Sequence, residues 1–527
     1  IAAAGGYVIY LYLRRRFKTS SRHTVIEPTG VERSVEDARR YRLLKLAGGI
    51  RALVVSDPAS EKRATAAMCV DKAGARTAPV ELVGLAHFLE HMLFLGSKKY
   101  PEESYYKKQV SLNAGRCNAS TAPEDTVYYF EVDKTGFSKV LDVFAQFFVG
   151  SPLLDASAAE REVQAVTSED SRNRVNDDRR RRMVLQHSAA GRTHGAQTWA
   201  KFGTGNATTL GTEAAAKAGV EVRPALLCYR EHFYRTDAMS LVLISSSPLD
   251  ETIALATETF GAFKGGGSEE DGGATAASAG EIDAEAAKAA RMLVDRAAEM
   301  ARVPSPSHPW ADEATRTNPL RWPFELRIAP VKERRSVALY WALPGSMSMH
   351  RHPRSPAVSY LTHLLGHEGE GSLFSCLQSE GLATAVSSGL EAPREFALLS
   401  VSIALTPRGE ESLELVITRV YEYIHVLAQA GGGEEAMAAW DERCHTSAID
   451  FRYAERGDAA SEATNWAKRL HHYEGEYVLS GGRILGNFPS DQVIECLSAM
   501  TPDNCILVWE SKKHLGGAAA TIEEEDE

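Results

Sequence analysis

Two successions of apolar stretches run along the chain, each opening and closing on strand-like segments with helical stretches between. In the first, Arg51–Ser56 (RALVVS) and Ala66–Val70 (AAMCV) read as strands. The segment Gly84–Gly96 carries Leu85, Phe88, Leu89, Met92 and Leu93 at helical spacing, with no turn-former inside, and predicts a buried helix. Thr126–Val132 (TVYYFEV) alternates like a strand, long helices follow, and Met239–Ser245 (MSLVLIS) closes the block. The theme then repeats through a strand at Ser336–Ala342, a helix, a loop, a strand at Ala397–Ala404, long helices and a closing strand at Cys505–Glu510. Gly265–Gly280 is a Gly/Ala/Ser/acid linker, Glu281–Arg302 an Ala-rich amphipathic helix and Pro304–Pro319 a loop. The expected division is an apolar and basic N-terminal segment (1–30), a first block (31–264), a linker insertion (265–319), a second block (320–513) and an acidic tail (514–527). The fold class this implies is α+β, two homologous α/β sandwich domains with a mixed sheet packed against helices.

The buried helix also carries chemistry. His87 and His91, at i and i+4, stack on one helical face and can hold one metal ion between them. Glu90, one position before the second histidine, can take a proton from a water polarised by that metal, in an H-x-x-E-H arrangement. Two imidazoles and a carboxylate buried on an apolar helix cost several kcal/mol, by order of magnitude, unless they are partnered, and a metal offsets that cost. The downstream helix Ser157–Ser171 offers Glu162 and Glu169, two turns apart on one face with Ala165 and Val166. One can ligate while the other orients a ligand by hydrogen bonding. Asn118–Thr121 follows Gly115 and precedes a strand, so it can present an edge to which an extended peptide adds.

The stretches HFLEHMLFLGSKKYP, Asn118–Val132, EREVQAVTSE, KFGTGN and LLGHEGEGSL, in this order, resemble the pitrilysin/insulinase family of zinc metallopeptidases. The likeness is nearest to its branch of insulin-degrading enzyme and nardilysin, and runs from about Arg51 to Trp509. The resemblance implies one zinc ion per chain held by His87, His91 and Glu169, with Glu90 as general base and Glu162 as a supporting carboxylate. It implies the metallohydrolase fold shared with mitochondrial processing peptidase, and a cleft lined by Asn118, Ala119 and Thr121. In the second block, Leu361–His367 falls where Leu85–His91 stands in the first, but Gly366 replaces the base. Without a carboxylate there a water has no proton acceptor, so the second block reads as a non-catalytic copy. Its Gly-rich Gly366–Gly371 suits close approach of a ligand backbone. By position, His363, Gly366 and Glu368 match a family exosite that grips the substrate's N-terminus.

Composition agrees with a large soluble enzyme. The 527 residues are 44% hydrophobic and 24% charged, enough for several cores. A net charge of −11 argues against nucleic-acid binding, and the basic run Arg179–Arg182 is expected on a solvated helix face. Seven cysteines without a C-x-x-C pair suit free thiols in a reducing compartment. The apolar Ile1–Leu13 followed by Arg14–Lys18 is shorter than the about twenty residues a membrane-spanning helix needs. Two readings stay open: a signal-anchor holding the catalytic part on the cytosolic side, which is preferred, or a targeting remnant of a soluble cytosolic or organellar (mitochondrial or plastid) protein. The expected activity is metalloendopeptidase cleavage of peptides or small proteins. The alternative is a weak or silent peptide-binding subunit. The resemblance implies two further homologous domains after the second block. It also implies an arginine and a tyrosine from that second half that stabilise the oxyanion, whose motifs nothing here matches. Full activity is therefore expected to need a C-terminal half, a partner subunit or a homodimer.

Overall fold

The computed structural model describes residues 23–25, 30–154, 156–189, 201–261, 284–302, 324–344, 347, 356–391 and 396–515. Ile1–Lys18, Gly265–Gly280, Pro304–Pro319 and the tail from residue 516 lie outside them. The helix expected in the insertion is described, over Ala284–Arg302, and buries Ala290, Leu293, Val294 and Ala297. No helix among the described residues is long and apolar enough to cross a membrane.

The first sheet comprises β1 (His23–Val25), β2 (Arg40–Leu46), β3 (Arg51–Ser56), β4 (Arg63–Asp71), β5 (Arg116–Thr121), β6 (Asp125–Asp133) and β7 (Met239–Ser245). Their order is β1-β2-β3-β7-β4-β6-β5, with β3 and β7 parallel and the other pairs antiparallel. β7 lies at the centre, and every one of its residues is buried, which is why it reads as an unbroken apolar run. β5 is the outermost strand and alternates between exposed and half-buried residues, as an edge does. One face of the sheet, carrying Leu53, Ala67, Val127 and Val242, packs on Ala463, Trp466, Ala467 and Leu470 of the helix Ala459–His472. That helix is fastened where the Ser240 hydroxyl donates to the Ala467 carbonyl at 2.6 Å. On the opposite face Tyr128 meets Phe147 and Phe148 edge-on.

The second sheet contains β8 (Phe324–Ile328), β9 (Ser336–Pro344), β10 (Ala383–Glu391), β11 (Phe396–Leu405) and β12 (Ile506–Glu510), in the order β10-β11-β9-β12-β8. This repeats β5-β6-β4-β7-β3 strand for strand. It even keeps the single parallel pair, β8 with β12 answering β3 with β7. The structure is the mixed-sheet, twice-built α+β fold that the alternating pattern implied. Trp341, Val401, Ile403, Val420 and Trp440 belong to the core under this second sheet.

Contacts divide the chain into residues 1–166, 203–297 and 455–479 on one side, and 167–202, 298–454 and 480–527 on the other. This partition differs from an expected split at the linker. Residues 455–479 go with the first sheet because Trp466 and its neighbours cover one of its faces. The helix Asp177–Ala189 goes with the second, where Leu185 packs with Ile328, Ala338 and Tyr340.

That helix corrects one expectation. The Arg179–Arg182 run is not simply solvated: Arg181 donates to Glu510 at 2.9 Å, and Glu510 is 1% exposed. Arg334 at 3.5 Å and the Ser336 hydroxyl at 2.7 Å share the same Glu510 oxygen. A buried carboxylate with a removed counter-ion keeps its desolvation cost and loses its compensation. Arg181→Met is therefore expected to destabilise the second unit by about 3 kcal/mol in denaturant melts, with Glu510→Gln in the same chain restoring part of the loss.

Candidate metal centre

The centre starts from two glycines. Gly84, at φ +91°, starts the helix Leu85–Leu93, and a Cβ on it would lie 2.4 Å from the Cα of Gly205, itself at φ +75°. Only glycine at both positions lets the backbone of Thr204–Asn206 lie against the start of the helix. That approach brings the Thr204 carbonyl 2.8 Å from Nδ1 of His87. A carbonyl can only accept, so Nδ1 carries the proton and Nε2 is the nitrogen His87 can offer a metal.

One turn on, His91 donates its Nδ1 proton to Glu162 at 2.7 Å. This hydrogen bond, working against the cost of burial, holds the Glu162 carboxyl below its usual range. The two imidazoles stand edge to face with centroids 4.6 Å apart. The helix Ala156–Arg174 carries Glu169 two turns beyond Glu162, and Val166, buried, shares that face, whereas Ala165 is exposed. One ligand atom each from His87, His91 and Glu169 lie within 4.8 Å of one another, and no other three such side chains among the described residues are grouped in this way. Two imidazole nitrogens with oriented tautomers and one carboxylate oxygen are the donor set zinc takes in a site with an open position.

Glu90 sits on the same helix and is 6% exposed. Thr121, at the end of β5, donates its hydroxyl to Glu90 Oε2 at 2.6 Å. Ala119, half-buried, stands opposite Tyr128 across the β5–β6 pairing, and Asn118, exposed, stands opposite Tyr129. Thr121 thus meets the candidate base directly, a contact sequence reasoning did not foresee because it depends on the register of β5 against the helix. The Thr204 carbonyl was missed as well. Its signal was present in KFGTGN, where glycines flank Thr204 and mark a place of close backbone approach. The Tyr128 phenol lies 2.6 Å from that of Tyr234, and burial raises both well above the ordinary range for tyrosine.

The second unit does not rebuild this centre. The helix Ala357–Leu365 ends at Gly366, so His367 falls past its last turn, and the His363 and His367 rings are 5.9 Å apart. A Cβ on Gly366 would crowd Ser388 of β10 at 3.2 Å. His363, Gly366 and Glu368 instead line a cleft of about 570 Å³ together with Ser388, Leu390 and Arg443. The seven cysteines form no disulfide.

Residues 52–197 match the family model "Insulinase (Peptidase family M16)". Residues 222–439 match "Peptidase M16 inactive domain", and residues 451–526 "Middle or third domain of peptidase_M16". Human insulin-degrading enzyme is 32% identical over 497 residues, covering 94% of this chain and 43% of that protein. The Arabidopsis thaliana "Insulin-degrading enzyme-like 1, peroxisomal" is 32% identical over 481 residues, 91% of this chain and 44% of its own length. The crystal structure of pitrilysin superposes with a TM-score of 0.78 at 26% identity, over 94% of this chain and 47% of that one. The chain spans less than half the length of these relatives. With three successive family models along its length, and a pitrilysin-like fold beneath them, the chain belongs to the insulinase family of peptidases, family M16.

Proposed function

We propose that the chain carries the centre of a zinc metalloendopeptidase, with His87, His91 and Glu169 holding the ion and Glu90 managing the protons. The observation that carries this reading is Glu90 itself: a buried carboxylate on the histidine helix, gripped by Thr121 and next in sequence to His91. Zinc in such a site lowers the pKa of a water and polarises a scissile carbonyl. Glu90 takes the proton from the attacking water as its oxygen bonds to the carbonyl carbon. It then gives that proton to the leaving nitrogen as the C–N bond breaks. Thr121 donates to one carboxylate oxygen, which fixes the plane of the other without neutralising it. Glu162 and the Thr204 carbonyl keep both imidazoles in one tautomer, so that Nε2 is the nitrogen each would offer the ion. Asn118 and Ala119 on the outer strand β5 give an extended peptide a row of main-chain partners, which demands little of its sequence. The cleft at His363, Gly366 and Glu368 serves as a second peptide-holding surface without chemistry of its own.

Metal content is the first test. One zinc per chain is expected by elemental analysis, lost in His87→Ala and unchanged in His363→Ala. Glu162→Gln is expected to weaken zinc binding about 10–100-fold. Zinc removed by His363→Ala rather than by His87→Ala would transfer the centre to the second unit.

Glu90→Gln keeps the size of the side chain and removes its basicity. Zinc and peptide binding should survive while turnover of a quenched peptide falls by several orders of magnitude. Undiminished turnover would exclude Glu90 as the base and overturn this mechanism.

The 527 residues assayed by themselves are expected to cleave slowly. Losing one oxyanion donor typically costs about a hundred- to a thousandfold, and the family supplies two of them from a second half. Addition of that half, from a relative, should raise the rate. A monomer turning over peptides at about 10 per second, with its mass confirmed by light scattering, would contradict this.

A further inference from the structure

The cleft of the second unit contains a charge that a surface for an N-terminal ammonium should not have. Arg443, on the helix Glu434–Arg452, forms part of its wall and is half-buried. One of its guanidinium nitrogens donates to the Ser359 hydroxyl at 3.1 Å, while its Nε is buried without an acceptor. Among the described residues no carboxylate lies within ion-pair distance of it, whereas Arg39, Arg76, Arg181 and Arg419 each have one. A half-buried cation with a neutral hydroxyl as its one partner retains much of its desolvation cost, which an incoming anion can repay.

Arg443 is the one arginine or lysine among the lining residues, with Glu368 in the lining and Glu442 close enough to act on His363. Partial burial, with Arg443 and His367 beside it and Glu442 opposing them, lowers His363 below the usual range for histidine. Glu368 also lines the cleft, but it is exposed and makes no ion pair among the described residues. β10, the outer strand of its sheet, contributes Ser388 and Leu390 to the same cleft, so an extended segment can lie along that edge while a side chain turns inward.

We infer that this cleft selects peptides by a carboxylate, for which Arg443 supplies the counter-charge. The group can be an aspartate or glutamate side chain, or a free C-terminus. The inference rests on reading the cleft as a peptide-holding surface, and not on the zinc chemistry.

The test uses the full chain carrying Glu90→Gln, so that peptides persist, and reads fluorescence anisotropy. Three labelled ten-residue peptides separate the sources: one with a single Asp and both ends blocked, one with Asn in its place, and the Asn peptide with a free C-terminal carboxylate. At least one carboxylate peptide should bind about tenfold tighter than the blocked Asn peptide, as a charge-assisted hydrogen bond gives. The arm that shows the gap identifies the source. The gap should narrow with added salt and close in Arg443→Gln, while Arg443→Lys keeps part of it. A thermal melt of each variant checks that it remains folded, and the peptide exchange in the unaltered cleft needs no variant at all. Equal binding of all three peptides, no binding of any, or a gap that persists in Arg443→Gln overturns the inference. A gap that persists in a chain found to bind no zinc would leave it standing and remove the catalytic reading alone.

Discussion

Both imidazoles of the histidine helix donate their Nδ1 protons to fixed oxygens, the Thr204 carbonyl and the Glu162 carboxylate, and the rest of the centre is arranged around those two bonds. They determine which nitrogen each ring presents, hence where an ion could sit, hence which carboxylate can complete its shell. The helix Ala156–Arg174 answers twice: Glu162 orients a ring, and two turns later Glu169 comes within ligand distance of both. The other bond depends on Gly84 and Gly205, because any Cβ there would hold the Thr204 backbone away. Two glycines without functional groups thus matter to the orientation of His87 as much as its hydrogen-bond partner does.

The duplicated fold shows how little must change to silence such a site. Both sheets share one strand order and one parallel pair, and both place a histidine-bearing helix after the second strand of the repeat. Glycine in place of Glu90 removes the base and, at Gly366, also ends the helix, so His367 leaves the face His363 occupies. The space is then lined by serines, an exposed glutamate and an arginine. The two units differ here at the end of one helix, on sheets that share one strand order.

Local patterns made much of this legible. Helical spacing placed His87, Glu90 and His91, and the seven-residue interval placed Glu162 and Glu169 on one face, because each relation lies within a single helix. The strand–helix rhythm disclosed the repeat, since central strands such as β7 are buried on both faces. What the sequence hid were relations between distant segments. Thr121 reaches Glu90 across 31 positions, and the Thr204 carbonyl reaches His87 across 117. Neither follows from periodicity. The helix Ala459–His472 covers the first sheet although it lies far down the chain, and Arg181 sits in a charged run that looked solvated while it neutralises a buried glutamate. A charge run says nothing of its partners until the fold supplies them.

X-ray absorption at the zinc edge of the loaded chain tests the central claim most directly. The expected shell is two imidazole nitrogens at about 2.0–2.1 Å with carboxylate and water oxygens, no sulfur, and one imidazole fewer in His91→Ala. A sulfur scatterer at about 2.3 Å, or a shell that His91→Ala leaves intact, would contradict it.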